Sequence, residues 1–184
     1  MRNRTSVPSR NTATLSIVDG DLIVERYAVV KGTGTPPTVK VTGSVHCEGH
    51  DTFECNLSAE NIESEDDIVI QGDLDVKGEV VAEDGRLEVH GNLRATRVDV
   101  DDALYVGKDL TVNEVDVGGL LDINGNIGAH EIDVGGSLRV RGKAKADEVD
   151  VGGSLAIEIQ GPKRRAFWKT DWVVCPAVAP TRGA

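Results

Sequence analysis

Four consecutive blocks of 17 residues repeat one pattern across residues 91–158, and this repeat constrains the fold more than any other feature of the chain. The blocks share the stretches VDVGGLLDIN, IDVGGSLRVR and VDVGGSLAIE. Residues 55–71 fit the same frame, and residues 72–90 fit it with two extra residues. A constant period indicates a repeat protein, in which each unit packs only on its neighbours in sequence.

Each block contains six apolar positions, arranged as three pairs of the form apolar-x-apolar. In block 108–124 these positions are Leu110, Val112, Val115, Val117, Leu121 and Ile123. A spacing of two directs both side chains of a pair to one side of a strand, and the gaps between pairs are corners. The pattern predicts an all-β fold, a single-stranded three-faced parallel β-helix (β-solenoid) of about seven coils. The general preference for right-handed crossovers predicts a right-handed coil.

Two other structures fit the repeat less well. A helix is disfavoured because the VDVGG stretches combine β-branched residues with a Gly-Gly break. An antiparallel meander would bury its apolar positions less regularly, and it would not need three unequal segments that recur at a constant total. The parallel coil accounts for both features.

The pattern divides the chain into three parts. Residues 1–13 are expected to be a disordered arm, residues 14–160 the β-helix, and residues 161–184 a tail of different composition. The tail has a basic and aromatic segment: Lys163, Arg164, Arg165, Phe167, Trp168 and Trp172. Such a segment can bind an anionic membrane surface. It can equally fold back as a cap over the last coil, and the sequence leaves both alternatives open.

The charge balance and the cysteine content narrow the classes of function. The formal net charge of −11 disfavours nucleic acid as a partner and is what a high-salt cytoplasm would favour. Three cysteines, an odd and low count, argue against a secreted disulfide scaffold. The chain has no apolar run of signal-peptide or membrane-span length. These features predict a cytoplasmic protein.

The repeat also resembles a known family. Blocks such as GNIGAHEIDVGGSLRVRGKAKADEVDVGGSLAIE are similar to the bactofilin domain of polymer-forming cytoskeletal proteins, over roughly residues 15–160. The shared features are G-(N/D/K)-hydrophobic openings, x-V-x-V strands and the closing stretch LAIE. The acidic balance is similar to that of the halophilic archaeal relatives, the halofilins, and indicates them as a candidate group within the family.

The resemblance implies a right-handed three-faced β-helix whose ends stack into nonpolar filaments without a nucleotide. It implies a cytoskeletal scaffold with a role in cell shape, whose main partner is itself. The tails would add contacts with envelope proteins or with the inner face of the cell membrane.

The ends of a solenoid carry unpaired strand edges and an open apolar core, so each end needs a cap or a partner. The residues expected at the polymer interface are Leu15, Ile17, Leu22, Val24, Leu155, Ile157 and Ile159.

The repeat places an acidic ladder on the outside of the coils. It consists of Asp99, Asp116, Asp133 and Asp150, flanked by Glu114, Glu131 and Glu148. Like charges on adjacent strands repel each other. The ladder is either a stripe for cations or partners, or a solvated surface that salt screens.

Sites for metals and catalysis are weakly indicated. His46, Cys47, His50 and Cys55 form the pattern H-C-x2-H-x4-C, a mixed ligand set of the kind that zinc accepts. The alternative is that Cys47 points inward and the histidines lie on the surface, and the spacing matches no structural zinc module closely. We therefore predict no metal or cofactor site.

The sequence also predicts that the protein is not an enzyme. A β-helix enzyme of the acyltransferase or carbonic-anhydrase type is the alternative, together with a scaffold that binds a partner without polymerising. Those enzymes use six-residue repeats, and the four histidines here show no spacing typical of a three-histidine site. No P-loop or G-x-S-x-G context is present either.

Overall fold

The computed structural model describes residues 3–157, and the regular secondary structure in that range consists of β-strands. Among these residues, none forms a helix long and apolar enough to cross a bilayer. The strands are short, mostly of two to four residues, because each spans only one side of a coil. There are 26 of them.

In coils 1–3 the strands are β1 (Arg4–Val7), β2 (Thr12–Leu15), β3 (Ile17–Val18), β4 (Asp21–Val24), β5 (Val29–Gly32), β6 (Thr38–Val41), β7 (Val45–Cys47), β8 (Asp51–Glu54) and β9 (Asn56–Ala59). In coils 4–6 they are β10 (Ile62–Ser64), β11 (Ile68–Ile70), β12 (Leu74–Val76), β13 (Glu79–Ala82), β14 (Arg86–Val89), β15 (Leu93–Arg94), β16 (Arg97–Val100), β17 (Ala103–Val106) and β18 (Leu110–Thr111). In coils 7–9 they are β19 (Glu114–Val117), β20 (Leu120–Ile123), β21 (Ile127–Gly128), β22 (Glu131–Val134), β23 (Ser137–Val140), β24 (Ala144–Lys145), β25 (Glu148–Val151) and β26 (Ser154–Ile157).

Every third strand belongs to the same sheet. Sheet A contains nine strands from β1 to β25, sheet B nine strands from β2 to β26, and sheet C eight strands from β3 to β24. All strand pairs within these sheets are parallel, for example β16 with β19 and β17 with β20. The chain therefore winds through three faces per coil, and the predicted three-faced parallel β-solenoid is confirmed. It has nine coils in residues 3–157, against the seven expected.

The core is a set of columns in which each inward side chain lies on the equivalent side chain of the next coil. On sheet B, Leu87, Leu104, Leu121 and Leu138 are successive partners, and each is at most 1% exposed. Full burial of such a side chain contributes about 1.5–3 kcal/mol relative to exposure. A coil alone could not bury this column, because its cover comes from the coils on either side.

The prediction that residues 1–13 form a disordered arm is wrong for most of that segment, because it contains β1 and the start of β2. β1 pairs in parallel with β4, with Thr5 opposite Leu22, and β2 pairs with β5. These residues form a first coil of normal length. The second coil is long, because Leu22 pairs with Val45, 23 residues on. An exposed turn at 33–38 takes up the extra chain, and the Thr38 N–H closes it by donating to the Thr33 carbonyl at 2.9 Å.

Pairs of glycines occupy the corner between sheets A and B in the last three coils: Gly118 and Gly119, Gly135 and Gly136, and Gly152 and Gly153. Glycine is common at such corners because it tolerates a positive φ. Among residues 3–157, however, the glycines with positive φ are Gly20, Gly34 and Gly49, which lie elsewhere. The corner glycines are close to the coil below instead. A Cβ on Gly136 would lie 2.3 Å from the carbonyl oxygen of Gly119. The close approach of two backbones, and not φ, excludes a side chain there.

A ladder of side-chain amides and carboxylates supports the corner between sheets B and C. Its members are Asn56, Asp73, Asn92, Asp109 and Asn126. Each of them accepts a hydrogen bond from the backbone N–H of the equivalent residue in the next coil, such as Asn126 N–H to Asp109 Oδ1 at 2.7 Å. The Asn126 side-chain amide donates to the same oxygen at 3.0 Å. Alternation of Asn and Asp provides a donor for each carboxylate.

We expect Gly136→Ala to lower the free energy of unfolding by about 1–3 kcal/mol, the usual cost of overpacking a close contact. Gly128→Ala is the matched control, because no atom lies within 4 Å of the Cβ position there. That variant should unfold like the parent or be slightly more stable, since alanine loses less backbone entropy than glycine. Chemical denaturation followed by circular dichroism measures both. Equal behaviour of the two variants would contradict the close-approach explanation.

Candidate functional site

The acidic ladder predicted from the repeat is present on the outer side of sheet A. The strand register places Asp99, Asp116, Asp133 and Asp150 on successive strands as direct partners. A second acidic column lies beside the first on the same sheet and begins one coil further along the chain. In it, Glu114, Glu131 and Glu148 are successive partners. Adjacent strands lie about 4.8 Å apart, so each carboxylate faces another at close range.

One arginine lies at the start of the ladder. The Arg97 guanidinium contacts the carboxylates of Glu114 and Asp99, the latter at 3.4 Å. No cation from residues 3–157 pairs with the carboxylates of the last two coils of the ladder. Partial burial, together with the charges of Asp99 and Asp133, raises the pKa of Asp116 above its ordinary value. Within residues 3–157, the ladder therefore carries negative charge over the C-terminal coils that no cation pairs with.

The C-terminal end of the described chain is a regular coil with a partly open core. Leu138 and Val140 are at most 1% exposed, whereas their partners in the last coil, Leu155 and Ile157, are only partly buried. Val149 and Val151 on β25 are partly buried in the same way. No described coil lies beyond these strands. Leu155 and Ile157 thus lie in the last described coil, and Ile159 is outside the described residues.

The N-terminal end is not where the sequence placed it. Leu22 and Val24 are 0% exposed, because β1 lies over β4 and buries them, so they are not end residues. Ile17 points outward on sheet C and is 71% exposed, while the next residue, Val18, turns inward. Leu15 remains at the first coil and is partly buried.

The first coil defines the N-terminal face instead. Its inward residues are Thr5, Val7 and Ala13, together with Leu15 and Val18. Sequence analysis missed Thr5, Val7 and Ala13 because they include few large apolar side chains. The 17-residue distance from Thr5 to Leu22 was the available signal.

The four residues of the proposed zinc pattern are not brought together. His46 and Cys47 are neighbours on β7, so their side chains point to opposite faces of the strand. Cys47 is buried, whereas His46 lies outside and pairs with Glu63 at 2.9 Å. Cys55 is also buried, and burial raises the pKa of both thiols. The inward placement that the sequence offered for Cys47 as the alternative is the correct one.

One cluster of potential ligands does occur at the corner between sheets A and B. The imidazole of His50 lies 3.3 Å from the Asp66 carboxylate and 3.7 Å from that of Asp67. Ligand atoms of the three residues lie within 4.8 Å of one another, the only such group in residues 3–157. Arg86 already binds Asp67 at 2.9 Å, and Tyr27 stacks on His50 at 5.0 Å. These contacts within the protein are sufficient to explain why the three side chains lie close together at this corner.

A buried carboxylate, Asp51, lies at the same corner directly after His50 in the chain. Asp51 is 0% exposed and occupies the inward column position that Ile68 fills in the next coil. It accepts backbone hydrogen bonds from Ala28 at 2.9 Å and from Gly49 at 3.2 Å. Burial raises the pKa of Asp51 to about 6, although both hydrogen bonds act in the opposite direction. Sequence analysis did not single out this residue.

A shallow cleft of about 550 Å³ crosses the outside of sheet B around Tyr105. Gly107, Asp122 and Arg141 are among the residues that line it. The Asp122 carboxylate lies 3.4 Å from Arg139 and 3.5 Å from Arg141. Glu88 and His90 also line the cleft and pair at 2.8 Å, while the buried Oδ1 of Asp122 accepts no hydrogen bond from the described residues.

The basic and aromatic tail residues, Lys163, Arg164, Arg165, Phe167, Trp168 and Trp172, lie outside the described residues. Fold and surface together define the class of this molecule as an acidic three-faced parallel β-solenoid. No family model, no curated protein and no solved structure matches the chain.

Asp116→Asn should raise the free energy of unfolding by about 0.2–1 kcal/mol at pH 7 and low ionic strength, because it removes two like-charge contacts. The gain should shrink in 1 M salt, which screens the ladder. Asp75→Asn is the control, since Asp75 lies between Ser58 and Arg94 and has no acidic partner in its column. An equal gain from both substitutions would attribute the effect to net charge and not to the ladder.

Asp51 should make stability depend on pH between about 4 and 6. Its pKa in the folded state is about 6 against an ordinary 3.8, so the folded protein binds the proton more tightly than the unfolded chain. The free energy of unfolding should therefore fall as pH rises through this window, by about 1–3 kcal/mol, and this contribution should be constant above it.

Asp51→Asn removes the titration and keeps one acceptor oxygen, which can serve the backbone N–H of Ala28 or of Gly49 but not both. Its unfolding free energy, measured by urea denaturation from pH 4 to 8, should no longer show the fall between about pH 4 and 6 that Asp51 causes. Asp51→Leu leaves both amides without an acceptor and should be less stable at every pH, by about 1–3 kcal/mol per amide. A slope that is unchanged in Asp51→Asn would show that other groups cause it.

Proposed function

We propose that this protein is a structural scaffold that self-assembles through the ends of its β-solenoid into filaments. The observation that carries the proposal is the last described coil, which keeps the regular repeat while its inward side chains are only partly buried. Leu155 and Ile157 continue the same columns that bury Leu138 and Val140 completely one coil earlier. A further coil from another copy would complete their burial.

The strand edges favour the same kind of partner. β25 and β26 each pair on one side only among the described strands, so their other edges offer backbone donors and acceptors. A second solenoid presents edges of the same spacing and the same parallel geometry. Because hydrophobic burial and strand pairing supply the free energy, the assembly needs no nucleotide.

The body of the solenoid supports a structural role more than a catalytic one. Its outer faces carry ladders that recur from coil to coil, as Asp116, Asp133 and Asp150 do. A surface that repeats along a rod suits contacts that also repeat along a filament. The resemblance to polymer-forming cytoskeletal proteins agrees with this proposal, and cell shape is the process that it suggests.

Electron microscopy and sedimentation of the purified full chain test the proposal directly. Filaments should form as the concentration rises, without added nucleotide. A protein that stays monomeric at high concentration, in both low and high salt, would overturn the proposal.

Leu155→Asp should abolish assembly, because it places a charge in the column that the next copy must cover. Ala156→Asp is the matched control: it adds the same charge on the adjacent, outward-facing residue. Both variants should keep most of the β signal in circular dichroism, because the substitutions lie in the last described coil. Assembly of Leu155→Asp at the parent concentration would show that this end is not the interface.

A further inference from the structure

The strand register allows the two ends of the solenoid to be compared position by position. On sheet A, one outer column begins with Arg4, whose partner is Asp21, and ends with Glu131 and Glu148. The neighbouring outer column begins with Ser6 and ends with Asp150. The first and last residues of a column become neighbours if the first coil of one copy is stacked on the last coil of another.

The charges of these end residues are complementary. Arg4 and Glu148 are both exposed and occupy the same column, so head-to-tail stacking places a guanidinium beside a carboxylate. The body of the solenoid contains the same kind of pair in this column. There Arg97 follows Glu79 and precedes Glu114, and its guanidinium contacts the Glu114 carboxylate.

The other columns also continue across such a junction. The inward column that ends at Val151 begins at Val7, and the column that ends at Ile157 begins at Ala13. On the outer side of sheet B, Ala156 would meet the start of its own column at Thr12, which is uncharged. In these two inward columns apolar residues meet apolar residues, whereas the inward column that ends at Val149 begins at Thr5. No like charges meet in any of these columns.

Junctions between like ends lack this complementarity on sheet A. Two C-terminal ends that meet through this sheet bring Glu148 and Asp150 of both copies together. Two N-terminal ends bring Arg4 of both copies together. Like charges juxtaposed at an interface disfavour that orientation.

We propose that copies of this chain join head to tail, with the first coil of one copy on the last coil of the next and Arg4 against Glu148. The filament is therefore polar, in contrast to the nonpolar filament that the family resemblance implies. This inference rests on the proposed end-to-end assembly and adds the orientation of its junctions.

Charge exchange at the two positions tests the orientation. Arg4→Glu and Glu148→Arg should each raise the critical concentration for assembly at low ionic strength by at least about tenfold, because each places like charges at every junction. The double variant, Arg4→Glu with Glu148→Arg, restores an opposite pair and should assemble like the parent. Lys40→Glu, an equal change of charge at an exposed position in the second coil, is the control and should assemble normally.

The outcomes separate this inference from the proposed function. A parent chain that forms no filaments contradicts end-to-end assembly itself. If the parent assembles and the single variants assemble equally well, the junctions join like ends, because a single exchange there replaces one like pair with another. If the single variants fail and the double variant does not recover, Arg4 and Glu148 do not meet. Either of these results overturns the head-to-tail junction while leaving the scaffold in place.

Discussion

Backbone hydrogen bonding between residues one coil apart is the constraint on which the rest of this structure depends. The Gly135 N–H donates to the Val117 carbonyl at 2.9 Å, and equivalent bonds recur along all three sheets. Each residue is thereby held next to its equivalent in the neighbouring coils. The core columns, the tight glycine corners and the outer ladders are all consequences of this one arrangement.

Stacking of equivalent residues favours apolar side chains and works against charged ones. The corner between sheets B and C meets this difficulty by alternating Asn92, Asp109 and Asn126, so that each carboxylate receives amide donors. Sheet A does not alternate, and the pKa of Asp116 is raised as a result of burial and its acidic neighbours. The apolar core must therefore offset the electrostatic repulsion in the ladder. The ladder also makes the outer side of sheet A negatively charged in the C-terminal coils.

The regular part of the molecule could be predicted because its side-chain pattern repeats at the spacing of the backbone bonds. Columns such as the one through Leu104 and Leu121, and the ladder through Asp116, follow from the period alone. The first coil could not be predicted in the same way. Thr5 and Ala13, two of its inward residues, are polar or small, and the 23-residue second coil interrupts the period. Asp51 was missed because a charged residue in an inward column has no signature in the sequence, and only its two backbone donors explain it.

The sequence by itself determined the coil length, the inward columns and the acidic ladder, because each follows from residue type at a constant spacing. The tertiary structure alone decided where the solenoid begins, why the corner glycines are needed and which residues share a column across an insertion. These properties depend on which backbone groups pair, and in the irregular coils the side-chain pattern does not reveal that pairing. The relation between Arg4 and Glu148 is of this second kind: 144 residues separate them in the chain, and only the register places them in one column.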